Sequence, residues 1–126
     1  MDEQDSGDLH GDAIKDIYRR LAPLYSLVEN YMEACTCLKK VIEEETQEIL
    51  KVGLYTKLAG NFKKANMKEQ CVKASTDAFE LIKRISGEND AQTCRCMINL
   101  AQVYQTFEEP EDAKRLYQQY LEMYGQ

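Results

Sequence analysis

The amino-acid sequence predicts an all-α protein, a helical-repeat array (α-solenoid) of three helix-turn-helix repeats built from about six antiparallel helices. Three observations carry this. The 126 residues are rich in the helix formers Ala, Leu, Lys, Glu and Gln, with only 2 prolines and 6 glycines. Apolar residues return at helical spacing instead of alternating as in a strand. One short pattern also occurs three times: a Leu-Ala pair, an aromatic four residues after the Leu, and a small residue nine further on.

Taken in order, residues 1–12 hold four aspartates, one glutamate and two glycines with little to bury, so a flexible acidic leader is expected there. The repeat domain is expected over 13–126, with repeat 1 at about 13–45, repeat 2 at about 46–88 and repeat 3 at about 89–126. The copies are Leu21-Ala22 with Tyr25 and Ala34, Leu58-Ala59 with Phe62 and Cys71, and Leu100-Ala101 with Tyr104 and Ala113, spaced 37 and 42 residues apart. Between aromatic and small residue lies a polar, turn-like stretch: Glu29-Asn30, then Asn66, then Glu108 to Glu111. Helices are therefore predicted at roughly 13–28, 31–44, 48–64, 67–85, 91–106 and 110–124. The last is the clearest: Ala113, Leu116, Tyr117, Tyr120, Leu121 and Tyr124 form one stripe, after Pro110 and acidic residues in the first turn and before Gly125 as a stop. Two antiparallel helices joined by a short turn leave an uncovered apolar face, which the next pair covers, so about three repeats are needed for stability.

Charge and motifs exclude several classes of function. A net charge of −6 does not suit a general nucleic-acid binder, which needs a basic surface. No apolar run is long enough to span a bilayer and the first residues have no secretory pattern, so no membrane insertion and a cytoplasmic location are expected. Five cysteines, Cys35, Cys37, Cys71, Cys94 and Cys96, are expected as free thiols. The pairs Cys35-Thr36-Cys37 and Cys94-Arg95-Cys96 fall on predicted helices, where residues two apart diverge by about 200°, so they are read as small buried residues and no metal site is expected. The single histidine, His10, sits in the leader with no nucleophile set around it, Glu43-Glu44-Glu45 reads as a solvated helix end, and no phosphate loop is present. Neither enzyme activity nor a cofactor is expected.

The repeats resemble tetratricopeptide repeats, and most closely those of the kinesin light chain type, whose units are extended by a loop. The third copy carries this best: Gly87-Glu88-Asn89-Asp90 before the helix, Asn99-Leu100-Ala101 and Tyr104 in the first helix, Glu111-Asp112-Ala113 and Leu116-Tyr117 in the second. The first copy keeps Asn30-Tyr31-Met32-Glu33-Ala34. Ser75 stands where the family usually has an aromatic and Tyr120 where it usually has a small residue, and repeat 2 lacks the loop's Gly and Asn. The resemblance covers about residues 13–126 and implies a concave groove lined by the first helices, which in this family commonly binds a peptide or partner helix.

Helix geometry finds the same face independently. At 100° per residue, positions −5, −2, −1, +2, +5 and +6 from the packing Leu lie opposite the core. They include Asp16, Arg19, Arg20, Gly53, Lys57, Gly60, Lys63, Lys64, Arg95, Asn99 and Gln102. Six cations against one anion make this face +5 in a chain of −6, leaving −11 for the rest. The candidate peptide-binding residues are Arg19, Arg20, Lys57, Lys63, Lys64, Arg95, Asn99 and Gln102, and an acidic protein or peptide partner is expected. The resemblance implies that Asn99 hydrogen-bonds the peptide backbone. The blander reading of the same residues is a solvated helix face.

Tyr25 and Tyr104 read as core. Tyr117, Tyr120 and Tyr124 lie on the last helix, whose stacking face is predicted to form an apolar, tyrosine-rich patch, either tolerated in the open or serving as an assembly surface covered by another chain or a second copy. Two functions are expected from these features. The first is a peptide-binding adaptor. The alternative is a scaffold subunit of a larger assembly, cytoskeletal or ciliary for example, held through its terminal helix faces.

Overall fold

A computed structural model describes the backbone of residues 3–125 and the side chains of residues 11–125. Among the described residues there are six α-helices and no strand: α1 (Glu3–Leu27), α2 (Tyr31–Glu44), α3 (Glu48–Lys64), α4 (Lys68–Ser86), α5 (Ala91–Thr106) and α6 (Pro110–Tyr124). Each helix packs on the next in sequence, which is the connectivity of a linear helical array.

Five of the six helices start and end within a residue of their expected limits. The exception is the first, expected from 13, which begins at Glu3 and runs through the boundary set at residue 12. No proline interrupts this stretch, and acidic residues near a helix N-terminus interact favourably with the helix dipole, so the backbone propagates upstream. Met1, Asp2, Gln126 and the His10 side chain lie outside the described residues.

The three turns inside the repeats are the same structure built three times. Glu29, Asn66 and Glu108 stand at equivalent positions and all adopt left-handed backbone, with φ of 64°, 60° and 59°. In each turn two N–H groups close the helix end. Asn30 N–H donates to the Tyr25 carbonyl and Glu29 N–H to that of Ser26, a pattern repeated by Met67 and Asn66, and by Glu109 and Glu108. These are Schellman closures, which satisfy carbonyls that the helix end would otherwise leave unpaired. The longer linker after α4 instead uses Gly87 at φ 85°, followed by Asp90, whose side chain accepts the Gln92 N–H at 2.9 Å to cap α5.

The core follows the repeat pattern. Ala22, Ala59 and Ala101 are buried, as are Ala34, Cys71 and Ala113 on the second helices. Cys35, Cys37 and Cys96 are buried too, while Cys94 is half-buried. Burial pushes the Cys35 thiol up to about 11 and raises those of Cys37, Cys71 and Cys96, so these groups are protonated space-fillers. The Cys71 thiol faces the Ala59 carbonyl at 3.3 Å, a distance that reports how closely α3 and α4 approach.

A left-handed conformation costs a residue with a Cβ roughly 1–2 kcal/mol, a penalty glycine escapes. Glu29→Gly and Glu108→Gly are each expected to stabilise the fold by roughly 0.5–1 kcal/mol. A higher urea midpoint at unchanged slope would show it. An unchanged or lower midpoint would mean that the glutamates are held by more than the turn.

Candidate functional site

The face expected from helix geometry forms two clefts, one on each side of α3. The first, of about 400 Å³, lies between α1 and α3 and is lined by Arg19, Ala22, Pro23, Ser26, Leu27, Leu38, Leu54, Lys57, Asn61 and Lys64. The second, of about 220 Å³, lies between α3 and α5 and is lined by Thr56, Ala59, Gly60, Lys63, Ser75, Ala78, Cys96, Asn99, Gln102 and Val103. Arg19, Lys57 and Lys64 thus meet in the first cleft, and Lys63, Asn99 and Gln102 in the second. Arg20 and Arg95 line neither. Arg95 is exposed one turn before Asn99, and Arg20 is exposed and bound to Asp16 at 2.7 Å.

The cations are not equally available. Arg19 reaches Glu45 at 3.5 Å, and Arg20 is neutralised by Asp16. Among the described residues no ion pair engages Lys57, Lys63, Lys64 or Arg95. Lys64 is steered by the Tyr31 ring, its ammonium 5.7 Å from the centroid. Three lysines from one helix therefore line the two clefts, none of them in an ion pair among the described residues. Gly53 and Gly60 share that face of α3, and a Cβ built on either would meet nothing within 4 Å. The space in front of α3 is therefore open, although glycine inside a helix costs about 0.5–1 kcal/mol relative to alanine.

Two polar groups were missed by reading the sequence. Asn61 is buried at the first cleft, where the Ser26 hydroxyl donates to its Oδ1 and its Nδ2 donates to the Lys57 carbonyl at 3.0 Å. This ties α1 to α3 and sets the cleft's width. The second is Glu45. It was expected to be solvated with Glu43 and Glu44; those two are exposed, but Glu45 is only 5% exposed. Its Oε2 accepts the Gln47 N–H at 3.0 Å and its Oε1 faces Arg19. The backbone hydrogen bond from Gln47 holds the carboxyl below its ordinary value against the opposing effect of burial, helped by Lys15 and Arg19. The run of three glutamates has no feature to single out Glu45: Arg19 comes from α1, and the Gln47 N–H reaches it only in the backbone conformation of the linker before α3.

The tyrosines of α6 are half-buried. Tyr117 and Tyr120 pack with Met123 against Met97, Leu100, Ala101 and Leu116. The Tyr117 hydroxyl meets Gln105 Oε1 at 3.2 Å, and the Tyr120 and Tyr124 ring centroids are 4.9 Å apart. Tyr124 donates its hydroxyl to the Glu88 carbonyl, and burial, with Cys94 and Glu88 nearby, pushes its phenol up to about 12. Leu121 is the exposed apolar residue of this helix, at 62%.

A carboxyl whose folded value is lowered stabilises the fold above its ordinary titration range, and that stability is lost as pH falls through the lowered value. Glu45→Gln is expected to reduce unfolding free energy at neutral pH by on the order of 1 kcal/mol. The gap from the parent should narrow below about pH 4. Urea unfolding of both proteins across this range checks it, and a gap independent of pH would remove the charged hydrogen bond as its cause.

Among the described residues no helix is long and apolar enough to cross a membrane. No curated protein matches the chain. The family model described as tetratricopeptide repeat matches residues 54–126, which contain most of α3 and all of α4 to α6. With that match over more than half its length and the paired-helix architecture in place, the chain belongs to the tetratricopeptide repeat family.

Proposed function

We propose that this protein is a protein-interaction adaptor that holds a short acidic peptide or helix across the two clefts beside α3. Tetratricopeptide repeats generally mediate protein–protein interactions and are typically not enzymes, so the family supports a binding role, and the charge of the clefts supports an acidic partner. The observation that carries the reading is the set of lysines Lys57, Lys63 and Lys64, without an ion pair among the described residues, around the open glycine face of α3. Carboxylates of a partner would form charge-assisted hydrogen bonds there, and the missing side chains at Gly53 and Gly60 would let its backbone come close. Asn99, one turn along from Arg95 in the second cleft, supplies a side-chain amide suited to a peptide group. The likeness of the third repeat to the kinesin light chain type, with Asn99-Leu100-Ala101 behind the Gly87 loop, supports placing the protein with adaptors of that kind.

A second reading, a scaffold subunit held by its ends, is favoured by a different observation: apolar side chains lie exposed on α1 and on α6. The two readings use separate surfaces.

The test is titration of a fluorescent Asp/Glu-rich peptide and of its Lys-rich counterpart. The acidic peptide should bind more weakly as salt rises, and Lys57→Glu with Lys63→Glu and Lys64→Glu should weaken it by roughly tenfold or more at unchanged thermal stability. Gly60→Ala separates groove from fold by sign. It should stabilise the protein by roughly 0.5–1 kcal/mol while weakening the peptide. Equal affinity for both peptides would overturn the acidic-partner reading.

A further inference from the structure

The chain buries the same surface twice internally and leaves a third copy of it open. Equivalent positions in the three repeats are 37 and 42 residues apart. Ile17 of α1 corresponds to Leu54 of α3 and Cys96 of α5, and Leu24 corresponds to Asn61 and Val103. Leu54 and Asn61 are both 9% exposed, and Cys96 and Val103 both 7%, because each meets the repeat before it. Ile17 and Leu24 are 55% and 57% exposed, and Val28 a turn further on is 72%. These side chains are apolar, at the spacing of a helix seam, and face where a preceding repeat would pack.

The opposite end carries the surface that would cover them. Within the chain, Val41 and Ile42 of α2 share one core cluster with Leu54 and Leu58 of α3. Their equivalents on α6, 79 residues on, are Tyr120, half-buried, and Leu121, 62% exposed.

Arg20 adds an independent sign. Its equivalents, Lys57 and Asn99, each line the cleft toward the preceding repeat, whereas Arg20 lines none. A repeat seated before α1 would give Arg20 the cleft that its position has elsewhere.

We propose that the outer face of α1 and the outer face of α6 are two halves of one interface, and that a second copy of this chain docks head to tail, its α6 covering Ile17, Leu24 and Val28. The contact repeats the α2–α3 packing between molecules and continues the groove across the junction. It is heterologous, so it does not close on itself at two copies, and the assembly lengthens with concentration.

Light scattering on the chain over a range of concentrations tests this, with two variants at exposed positions: Ile17→Lys with Leu24→Lys, and Leu121→Lys. The parent's average mass should rise with concentration without a plateau at the dimer. Each variant alone should stay at 14.6 kDa, and an equimolar mixture should recover one dimer, because each supplies the face that the other lacks. Circular dichroism checks folding; Val28→Lys carries the same test should the double variant unfold. A parent that is monomeric throughout, or a mixture that stays monomeric, overturns the proposal. So does a dimer that survives Leu121→Lys, which would instead pair α1 with α1 about a two-fold axis.

Discussion

The close approach of two helices at a pair of small residues governs this molecule. Ala22 and Ala34, Ala59 and Cys71, and Ala101 and Ala113 stand on the first and second helices of the three repeats, and all six are buried. A larger side chain at any of them would push the helices apart, and the aromatics at Tyr25, Phe62 and Tyr104 would no longer fill the gap beside them. The Cys71 thiol against the Ala59 carbonyl shows how little room there is. Once the pairs are set at this separation, the next pair can lie in the groove between them, and the clefts on either side of α3 follow from that stacking. The site is thus a by-product of backbone spacing, with its chemistry added by the residues that face outward.

That chemistry depends on where the anions are. The chain is acidic overall, yet no carboxylate among the described residues lines either cleft. Glu48 pairs with Arg84, Glu109 with Lys68, Asp77 with Lys73 and Asp112 with Arg115, all away from Lys57, Lys63 and Lys64. Glu45 differs in that it pairs with a cleft residue, and its backbone hydrogen bond to Gln47 fixes it as a buried strut that takes Arg19 out of service. Exposed pairs of this kind add little stability. Their consequence is one of position: among the described residues they leave Lys57, Lys63 and Lys64 outside any ion pair.

Local features were legible in the sequence, and those that depend on distant partners were not. The three left-handed turn residues stand where the polar interruptions Glu29-Asn30, Asn66 and Glu108 marked turns, because a turn is decided by a few adjacent residues. The helices from α2 to α6 and the buried small residues followed from period and repeat alone. Lys57, Lys63, Lys64, Asn99 and Gln102 fell in clefts as helix geometry required, since an angle on a helix needs no tertiary information. Arg20 sits at an equivalent angle and lines nothing, because a cleft needs a second wall and angle alone cannot supply one. Glu45 looked solvated because Arg19 lies on another helix and the Gln47 N–H is turned toward the carboxylate only by the folded linker. The start of α1 was misplaced because acidic composition was read as a leader, where a helix N-terminus tolerates the same residues.

In a linear array each repeat touches only its neighbours, so the effect of a change decays along the chain instead of spreading through one core. The helix contacts here run α1 to α2 to α3 and onward, with α3 and α4 the most closely joined. The groove is centred on α3, while the open apolar faces belong to α1 and α6. A partner in the clefts and a partner on the ends would therefore act on different walls of the same stack, coupled only through the cleft edge where Arg20 stands. Adding a repeat before α1 gives that edge its second wall. It would add one more cleft beside α1 without disturbing the two already formed, because each repeat contacts only its neighbours.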